Sequence, residues 1–220
     1  MKMTGQRRDA ASGRARALVV LLHGYGADGA DLIGLADPLA PVLPDAVFLA
    51  PDAPEPCRVN PMGRQWFPIS WIDGSPEAEM RAGFLRAADA LDRWLTEAMA
   101  AEGVTEAETV LVGFSQGTMM ALHVGPRRAA PLAGIVGFSG RLAETGPNAA
   151  PVRARPPVLL IHGDLDEVIP AQALAETREA LAAEGFAVQW HLSRGIGHGI
   201  APDGLCAAAL FLRARLASAA

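Results

Sequence analysis

Short, continuous apolar runs alternate along the chain with longer segments in which apolar residues recur every three or four positions. The runs lie at residues 17–22, 46–50, 109–114, 134–138, 157–161 and 187–192. Most of them are apolar throughout rather than at alternate positions, which is typical of strands buried on both faces of a parallel sheet.

The longer segments between these runs have the periodicity of amphipathic helices. Apolar stripes occur within residues 76–102 and 171–184, and again from Leu205 to Leu216. Strands that alternate with helices predict an α/β fold, in which helices cover both faces of a mainly parallel sheet. No linker or internal repeat interrupts this order, so we expect a single domain over residues 17–220, preceded by a disordered tail over residues 1–16.

One segment, residues 51–76, departs from this rhythm. It is rich in proline and contains Trp66, Phe67 and Trp71, but it has no usable period. Loops of this length in compact domains are usually functional or disordered, and the aromatic residues argue against disorder. We therefore expect these three side chains to include some that line an apolar substrate pocket. The alternative is that they pack only on the core of the domain.

Composition and charge exclude several classes of function. Half of the 220 residues are hydrophobic, and the net charge is -5. The arginines form no basic stripe, so nucleic-acid binding is not expected. No apolar run reaches the roughly 18 residues of a membrane span, so no stable membrane insertion is expected. Cys57 and Cys206 are far apart, which argues against a disulfide framework and favours the cytoplasm as the default location.

The candidate chemistry begins at the end of the third run, where Ser115 lies between Gly113 and Gly117. A G-x-S-x-G sequence between a strand and a helix predicts a nucleophile elbow, a turn so tight that the residues flanking the serine must be small. The elbow raises the hydroxyl above the sheet at the positive end of the next helix. Glycine in such a turn can also serve helix packing alone, so other parts of the chain must decide between these readings.

A serine nucleophile needs a base and an acid, and in α/β-hydrolases these follow the serine in the order acid, then histidine. His198 lies between two glycines after the last predicted strand and is the best candidate for the base. Asp164, Asp166 and Glu167 share the turn after the preceding strand, and their spacing leaves the choice of acid open. The remaining histidines are predicted to be structural; they are His23, His123, His162 and His191.

An oxyanion site must also be present, because the tetrahedral intermediate carries negative charge. In this fold one donor is the backbone N–H that follows the nucleophile, here that of Gln116. The other comes from the loop after an early strand, which corresponds to residues 21–32, LLHGYGADGADL.

The motifs LLHGYGADGADL, APDAP, GFSQGTMMAL, GFSGRL, PVLLIHGDLDEVIP and GIGHGI together resemble the bacterial phospholipase/carboxylesterase family, relatives of the acyl-protein thioesterases. The resemblance runs from about residue 17 to residue 215 and implies an α/β-hydrolase fold. It implies Ser115 as nucleophile, His198 as base and Asp166 as acid, with the oxyanion bound by the backbone N–H groups of Tyr25 and Gln116. Family members often have leucine where this chain has Tyr25, which leaves substrate preference open.

These residues predict a serine carboxylesterase that hydrolyses small ester substrates through an acyl-enzyme and needs no metal or organic cofactor. A thioesterase or lysophospholipase acting on lipidated substrates would use the same residues. A binding module that keeps the fold without catalysis is an alternative of another class. Relatives are often dimers, so the resemblance leaves a homodimer open.

Overall fold

The computed structural model describes residues 3–143 and 151–216. Over these residues nine strands are present: β1 (Gly5–Arg8), β2 (Ala17–Leu22), β3 (Ala46–Pro51), β4 (Glu55–Pro56), β5 (Arg64–Gln65), β6 (Thr109–Phe114), β7 (Gly134–Phe138), β8 (Val158–Gly163) and β9 (Val188–Ser193). The six predicted strands are therefore present, with ends that shift by at most a few residues.

Seven of these strands form one sheet in the order β1-β3-β2-β6-β7-β8-β9. Strand β1 runs antiparallel to β3, and every other neighbouring pair is parallel. This arrangement confirms the predicted α/β-hydrolase architecture. In a parallel sheet the carboxyl ends of the strands share one edge, so the loops after β2, β6, β8 and β9 lie on the same side of the molecule.

Helices cover both faces of the sheet, and over the described residues they are α1 (Gly29–Ile33), α2 (Ala36–Leu39), α3 (Ser70–Asp73), α4 (Glu77–Glu102), α5 (Gln116–Val124), α6 (Gln172–Ala183) and α7 (Pro202–Leu216). Alternate residues of β2 belong to two separate cores. Leu18, Val20 and Leu22 pack with α4, α5 and α6, whereas Val19 and Leu21 pack with α2 and α7. This burial on both faces explains why the strand sequences are continuously apolar. Across residues 3–143 and 151–216, no helix is both long and apolar enough to cross a lipid bilayer.

The prediction of a disordered tail over residues 1–16 is wrong for Gly5–Arg8, which form the edge strand β1. These residues are polar and mostly exposed, so hydrophobic patterning gives no sign of them. Pairing with β3 depends on backbone hydrogen bonds, and Arg7 adds an ion pair with Glu102 of α4. A charged edge strand of this kind needs no apolar face. Residues 1–2 and 217–220 of the predicted tail and domain lie outside the described residues.

The segment predicted to be a long loop, residues 51–76, contains only short elements, namely β4, β5 and α3. Strands β4 and β5 pair with each other in a separate two-stranded ribbon. Trp66 and Phe67 are buried in the core beside α4, whereas Trp71 is 62% exposed. The segment is therefore anchored by two of its aromatic side chains and presents the third at the surface.

Candidate active site

Ser115 occupies the turn between β6 and α5 and has a strained backbone, with φ 53° and ψ −114°. A positive φ is costly for a residue with a Cβ atom and persists only where the surroundings hold it in place. Here the Ser115 N–H donates to the Phe138 carbonyl at 2.9 Å. Gly117 must be small, because a Cβ atom there would lie 1.9 Å from the Leu22 carbonyl oxygen. The serine therefore has the geometry predicted for a nucleophile elbow.

Asp166 is the carboxylate that reaches His198, with 2.8 Å between Asp166 Oδ2 and His198 Nδ1. The other oxygen, Oδ1, accepts hydrogen bonds from the N–H groups of Val168 and Ile169 at 3.0 and 2.9 Å. Burial of Asp166 opposes its charge. Hydrogen bonds from Ile169, His198 and Val168 outweigh that effect and hold the pKa of the carboxyl below its usual value. Asp166 is thus a buried, charged partner for the imidazole.

The other two carboxylates of this turn have different positions. Asp164 accepts a hydrogen bond from the Gly195 N–H at 2.6 Å and so supports the loop that carries His198. The Leu165 N–H donates to the Ile196 carbonyl at 2.9 Å and adds a second link to that loop. Glu167 is exposed. Which of three neighbouring carboxylates meets the histidine is therefore set by the curvature of the turn, a property that residue spacing does not encode.

Two of the remaining histidines bind the backbone beside the candidate site. His23 is fully buried: its Nδ1 lies 2.7 Å from the Gly24 carbonyl, and its Nε2 accepts from the Ala53 N–H at 3.0 Å. Burial lowers the pKa of His23 and favours the neutral ring that this pairing requires. His162 Nε2 lies 2.8 Å from the Ile169 carbonyl and 3.3 Å from Asp166 Oδ2. His162 therefore contacts the same carboxylate oxygen that meets His198.

The side chains of the other two histidines, His123 and His191, contact other side chains. His123 lies in the last turn of α5, where its ring packs edge-on against Phe84 at 4.8 Å between centroids. His191 Nε2 lies 2.7 Å from Asp203 Oδ2, in the first turn of α7. Both have structural contacts, as predicted.

The loop after β2 meets the elbow directly. A Cβ atom on Gly24 would lie 3.3 Å from the Cβ atom of Ser115, so the residue before Tyr25 is packed against the serine. Gln116 is the first residue of α5, where a backbone N–H has no partner within the helix. Tyr25 and Gln116 line the same cavity as Ser115. Their backbone N–H groups are the two predicted oxyanion donors.

This catalytic cavity has a volume of about 180 Å³ and is lined by both Ser115 and His198. The centroid of the Phe114 ring lies 5.0 Å from that of the His198 ring, and Phe114 forms part of the cavity wall. Most of the lining is apolar, including Ile69, Ile72 and Met119. Such a lining suits the hydrocarbon part of an ester.

The three aromatic residues predicted to bind substrate have different positions. Trp71 lines the catalytic cavity. Phe67 lines a neighbouring cavity and packs against Phe84. Trp66 is fully buried, and its indole N–H donates to the His23 carbonyl at 2.9 Å. Trp66 therefore packs on the core, which is the alternative that the sequence left open.

Sequence reasoning assigned only the backbone of Gln116, but its side chain also joins two parts of the site. The side-chain amide is fully buried. Its oxygen accepts from the backbone N–H of Trp66 and its nitrogen donates to the Phe67 carbonyl, each at 2.8 Å. It thereby ties the 51–76 segment to the elbow. A polar residue at the start of a mainly apolar helix was the available signal.

Asp73 is a second residue that sequence reasoning missed. Its Oδ2 accepts from the Tyr25 hydroxyl at 2.9 Å and from the Ile69 N–H at 3.0 Å, while Oδ1 accepts from the Ser75 N–H at 2.9 Å. Burial of Asp73 opposes its charge, but the hydrogen bonds lower its pKa overall. Burial and the bond to Asp73 raise the pKa of Tyr25, so the phenol stays protonated and donates. Only the three-dimensional structure relates these two residues, which are far apart in sequence.

Over the described ranges, 3–143 and 151–216, no group of three or more His, Cys, Asp or Glu side chains is arranged to hold a metal ion. Ser115 and His198 bring a hydroxyl and an imidazole to this cavity, and the Asp166 carboxylate holds the imidazole. This set is suited to nucleophilic acyl transfer.

Known proteins resemble this chain over nearly its whole length. The family described as phospholipase/carboxylesterase matches residues 7–216. Esterase YpfH of Escherichia coli is 29% identical over 84% of this chain and 77% of its own length. An acyl-protein thioesterase 1 of Neurospora crassa is 31% identical over 92% and 88%, respectively. The crystal structure of esterase PE8 has 44% sequence identity and a TM-score of 0.92, covering 98% of this chain and 100% of that one.

Proposed function

Because the chain belongs to the phospholipase/carboxylesterase family of ester hydrolases, we propose that it cleaves carboxylic esters through an acyl-enzyme formed on Ser115. In this proposal His198 is the general base, Asp166 orients it, and the N–H groups of Tyr25 and Gln116 bind the oxyanion. The substrate is a small ester whose apolar part occupies the cavity beside Trp71.

The observation that carries the proposal is the hydrogen bond between His198 Nδ1 and Asp166 Oδ2, 2.8 Å long, in the wall of the cavity that Ser115 also lines. An imidazole held through Nδ1 keeps Nε2 available as the proton acceptor. Buried Asp166 also stabilises the imidazolium that forms when the proton arrives. The strained conformation of Ser115 supports its role, since such strain is concentrated at functional sites.

The reaction then has two halves. Ser115 Oγ attacks the ester carbonyl while His198 removes its proton, and the same proton passes to the departing alcohol oxygen as the C–O bond breaks. A water molecule next attacks the acyl-enzyme, with His198 again accepting and then returning one proton. Each half produces an oxyanion, and losing one of its donors typically raises the barrier by about 2.7 to 4 kcal/mol.

Hydrolysis of p-nitrophenyl butyrate by purified wild-type protein and by Ser115→Ala tests this function. We expect turnover by the wild type and a loss of roughly 10⁴-fold or more in the variant, because the covalent step is removed. Circular dichroism confirms that each protein is folded. A folded wild-type protein that hydrolyses none of a panel of short and long acyl esters would instead support the non-catalytic binding module.

A second candidate activity is hydrolysis of thioesters on lipidated substrates, with lysophospholipids as a related substrate class. It is favoured by the similarity to proteins named acyl-protein thioesterase 1 from two fungi. The same triad would attack a thioester carbonyl, with a thiolate as the leaving group. The ratio of kcat/KM for an acyl thioester to that for the matched oxygen ester separates the two activities.

A cytoplasmic location and a homodimer are further parts of the proposal. Both cysteines, Cys57 and Cys206, are free thiols, which fits a reducing compartment. The homodimer is supported only by the family resemblance. Light scattering coupled to size-exclusion chromatography measures the mass of the particle directly and would distinguish one 220-residue chain from two.

A further inference from the structure

A second, larger cavity of about 590 Å³ lies beside the catalytic cavity. The two cavities share Trp71, Met119, Val168 and Ile169 as lining residues. A substrate with its carbonyl carbon at Ser115 can therefore extend past Trp71 into this space. None of the proposed catalytic residues lines the larger cavity, so its contribution would be to binding.

Arg141 lines the larger cavity, and the residue before it packs against the turn that carries Ser115. The preceding residue, Gly140, packs on the elbow so tightly that a Cβ atom there would lie 3.0 Å from the Ser115 carbonyl oxygen. The Arg141 guanidinium carbon lies 5.8 Å from the centroid of the Trp71 ring, within the range of a cation–π contact. Arg141 thus stands next to the aromatic residue that both cavities share.

Arg141 has no ion-pair partner within the described part of the protein. Ion pairs within 4.0 Å join other arginines to carboxylates, as Arg128 joins Asp92 and Glu106, but over residues 3–143 and 151–216 none involves Arg141. Glu176 lines the same cavity without forming such a pair, and Glu77 and Arg81 line a third cavity that Arg141 also borders. Arg141 therefore offers its donors to the cavity.

We propose that Arg141, with the face of Trp71, is a subsite for an anionic group carried by the ester substrate. The inference rests on the proposed esterase function and deepens it by naming a substrate class: esters with a carboxylate or a phosphate a few atoms from the reacting carbonyl. A guanidinium binds either group with two parallel N–H bonds, and its contact with Trp71 restricts its orientation. Arg141 is a specificity-determining residue in this scheme and takes no part in the proton transfers.

Two properties set the size of the effect. A hydrogen bond to a charged group typically changes an equilibrium by tenfold or more, but partial exposure of Arg141 brings solvent screening. We expect a change of about tenfold in selectivity, which falls as ionic strength rises. Glu176 opposes an anion in the same cavity, so its removal should change the selectivity in the other direction.

The experiment compares pairs of esters of similar size in which only one member carries a carboxylate. One pair carries the charge on the acyl side: mono-p-nitrophenyl adipate and neutral p-nitrophenyl heptanoate. A second pair carries it on the alcohol side: p-butyryloxybenzoate and neutral p-butyryloxybenzamide. The selectivity is the kcat/KM of the anionic ester divided by that of its neutral partner, measured for the wild type, Arg141→Gln, Arg141→Lys and Glu176→Gln.

We expect the selectivity for at least one pair to fall about tenfold in Arg141→Gln, to recover in part in Arg141→Lys, and to rise in Glu176→Gln. The pair that responds identifies which side of the ester meets Arg141. A selectivity that is the same in the wild type and Arg141→Gln for both pairs would overturn the inference. Turnover of the neutral esters by the wild type tests the esterase function itself, so failure of the subsite and failure of the enzyme give different results.

Discussion

The hydroxyl of Tyr25 donates a hydrogen bond of 2.9 Å to Oδ2 of Asp73, and this bond joins the loop of one proposed oxyanion donor to helix α3. Asp73 also accepts hydrogen bonds from the backbone N–H groups of Ile69 and Ser75, so it fixes the start and the end of α3. Ile69, Trp71 and Ile72 line the catalytic cavity. One partly buried hydrogen bond therefore links the backbone that would bind the oxyanion to the wall that would bind the substrate.

Tyr25→Phe removes the hydroxyl and leaves the ring in place. We expect kcat for p-nitrophenyl butyrate to fall by about tenfold with little change in KM, since a displaced oxyanion donor weakens transition-state binding more than substrate binding. Asp73→Asn should have a similar effect, and the double variant should be no worse than the worse single one, because both changes break one interaction. Independent, multiplicative losses would show that the two residues do not act through each other.

Gln116→Ala tests the tie between the elbow and the 51–76 segment. The variant keeps the Gln116 backbone N–H that is proposed to bind the oxyanion. It leaves the buried backbone N–H of Trp66 and the carbonyl of Phe67 without partners. Each unsatisfied group costs about 1 to 3 kcal/mol, so the free energy of unfolding in urea should fall by roughly 2 to 6 kcal/mol. Gln189→Ala, on the exposed side of β9, is the matched control and should change it by less than about 0.5 kcal/mol. Equal effects of the two substitutions would contradict this role for Gln116.

The pH dependence of kcat/KM tests the proton acceptor. The base must be a neutral imidazole to accept the proton, so activity should decline as pH falls from about 8 to about 5. Hydrogen bonds outweigh burial and keep the pKa of Asp166 below its usual value, so the carboxylate stays charged throughout this range. The decline should therefore follow a single proton, with a limiting slope of about one on logarithmic axes. Activity that stays constant from pH 8 to pH 5 would exclude His198 as the base.

Stability should respond to pH through His123. Burial, together with the charge of Arg127, lowers the pKa of His123 to about 4, whereas an unfolded histidine titrates near about 6.5. Between these values the unfolded chain binds a proton that the folded chain does not, so stability is present above about pH 6.5 and is lost as pH falls towards about 4. The loss is at most about 3 kcal/mol.

Urea unfolding of the wild type and of His123→Leu at pH 7 and at pH 4.5 measures this contribution. Leucine suits the contact with Phe84, and the change in stability between the two pH values should be smaller in the variant. His23, whose pKa burial also lowers, should leave a remaining dependence. His191→Gln, on a partly exposed strand, provides a control for the loss of a histidine as such. If His123→Leu and the wild type lose the same stability between pH 7 and pH 4.5, His123 is not the group responsible.

Hydrophobic patterning predicted the central part of the fold because the parallel strands are buried on both faces. Strands β2, β6 and β7 begin and end at the predicted residues. The pattern could not predict β1, since Gly5–Arg8 are polar residues whose pairing depends on the backbone. An edge strand has no core-facing requirement, so its sequence carries little periodic signal.

Local sequence likewise predicts one part of the candidate site and not the rest. The glycines around Ser115 are required by sterics within a few residues, so local sequence predicts the elbow. Asp166 could be chosen over Asp164 and Glu167 only by family resemblance, because the direction of a side chain within one turn depends on tertiary contacts. The burial of Trp66 and the bond between Tyr25 and Asp73 depend on contacts between distant segments, which no local pattern records.

A fluorophosphonate probe followed by peptide mass spectrometry tests the central claim most directly, since it reacts with a serine only when a base has activated the hydroxyl. We expect about one adduct per wild-type chain, located on Ser115, and none on folded Ser115→Ala. His198→Ala should react much more slowly, because the proton acceptor is missing. A folded wild-type protein that stays unlabelled, or labelling that persists unchanged in Ser115→Ala, would contradict the assignment of Ser115 as the nucleophile.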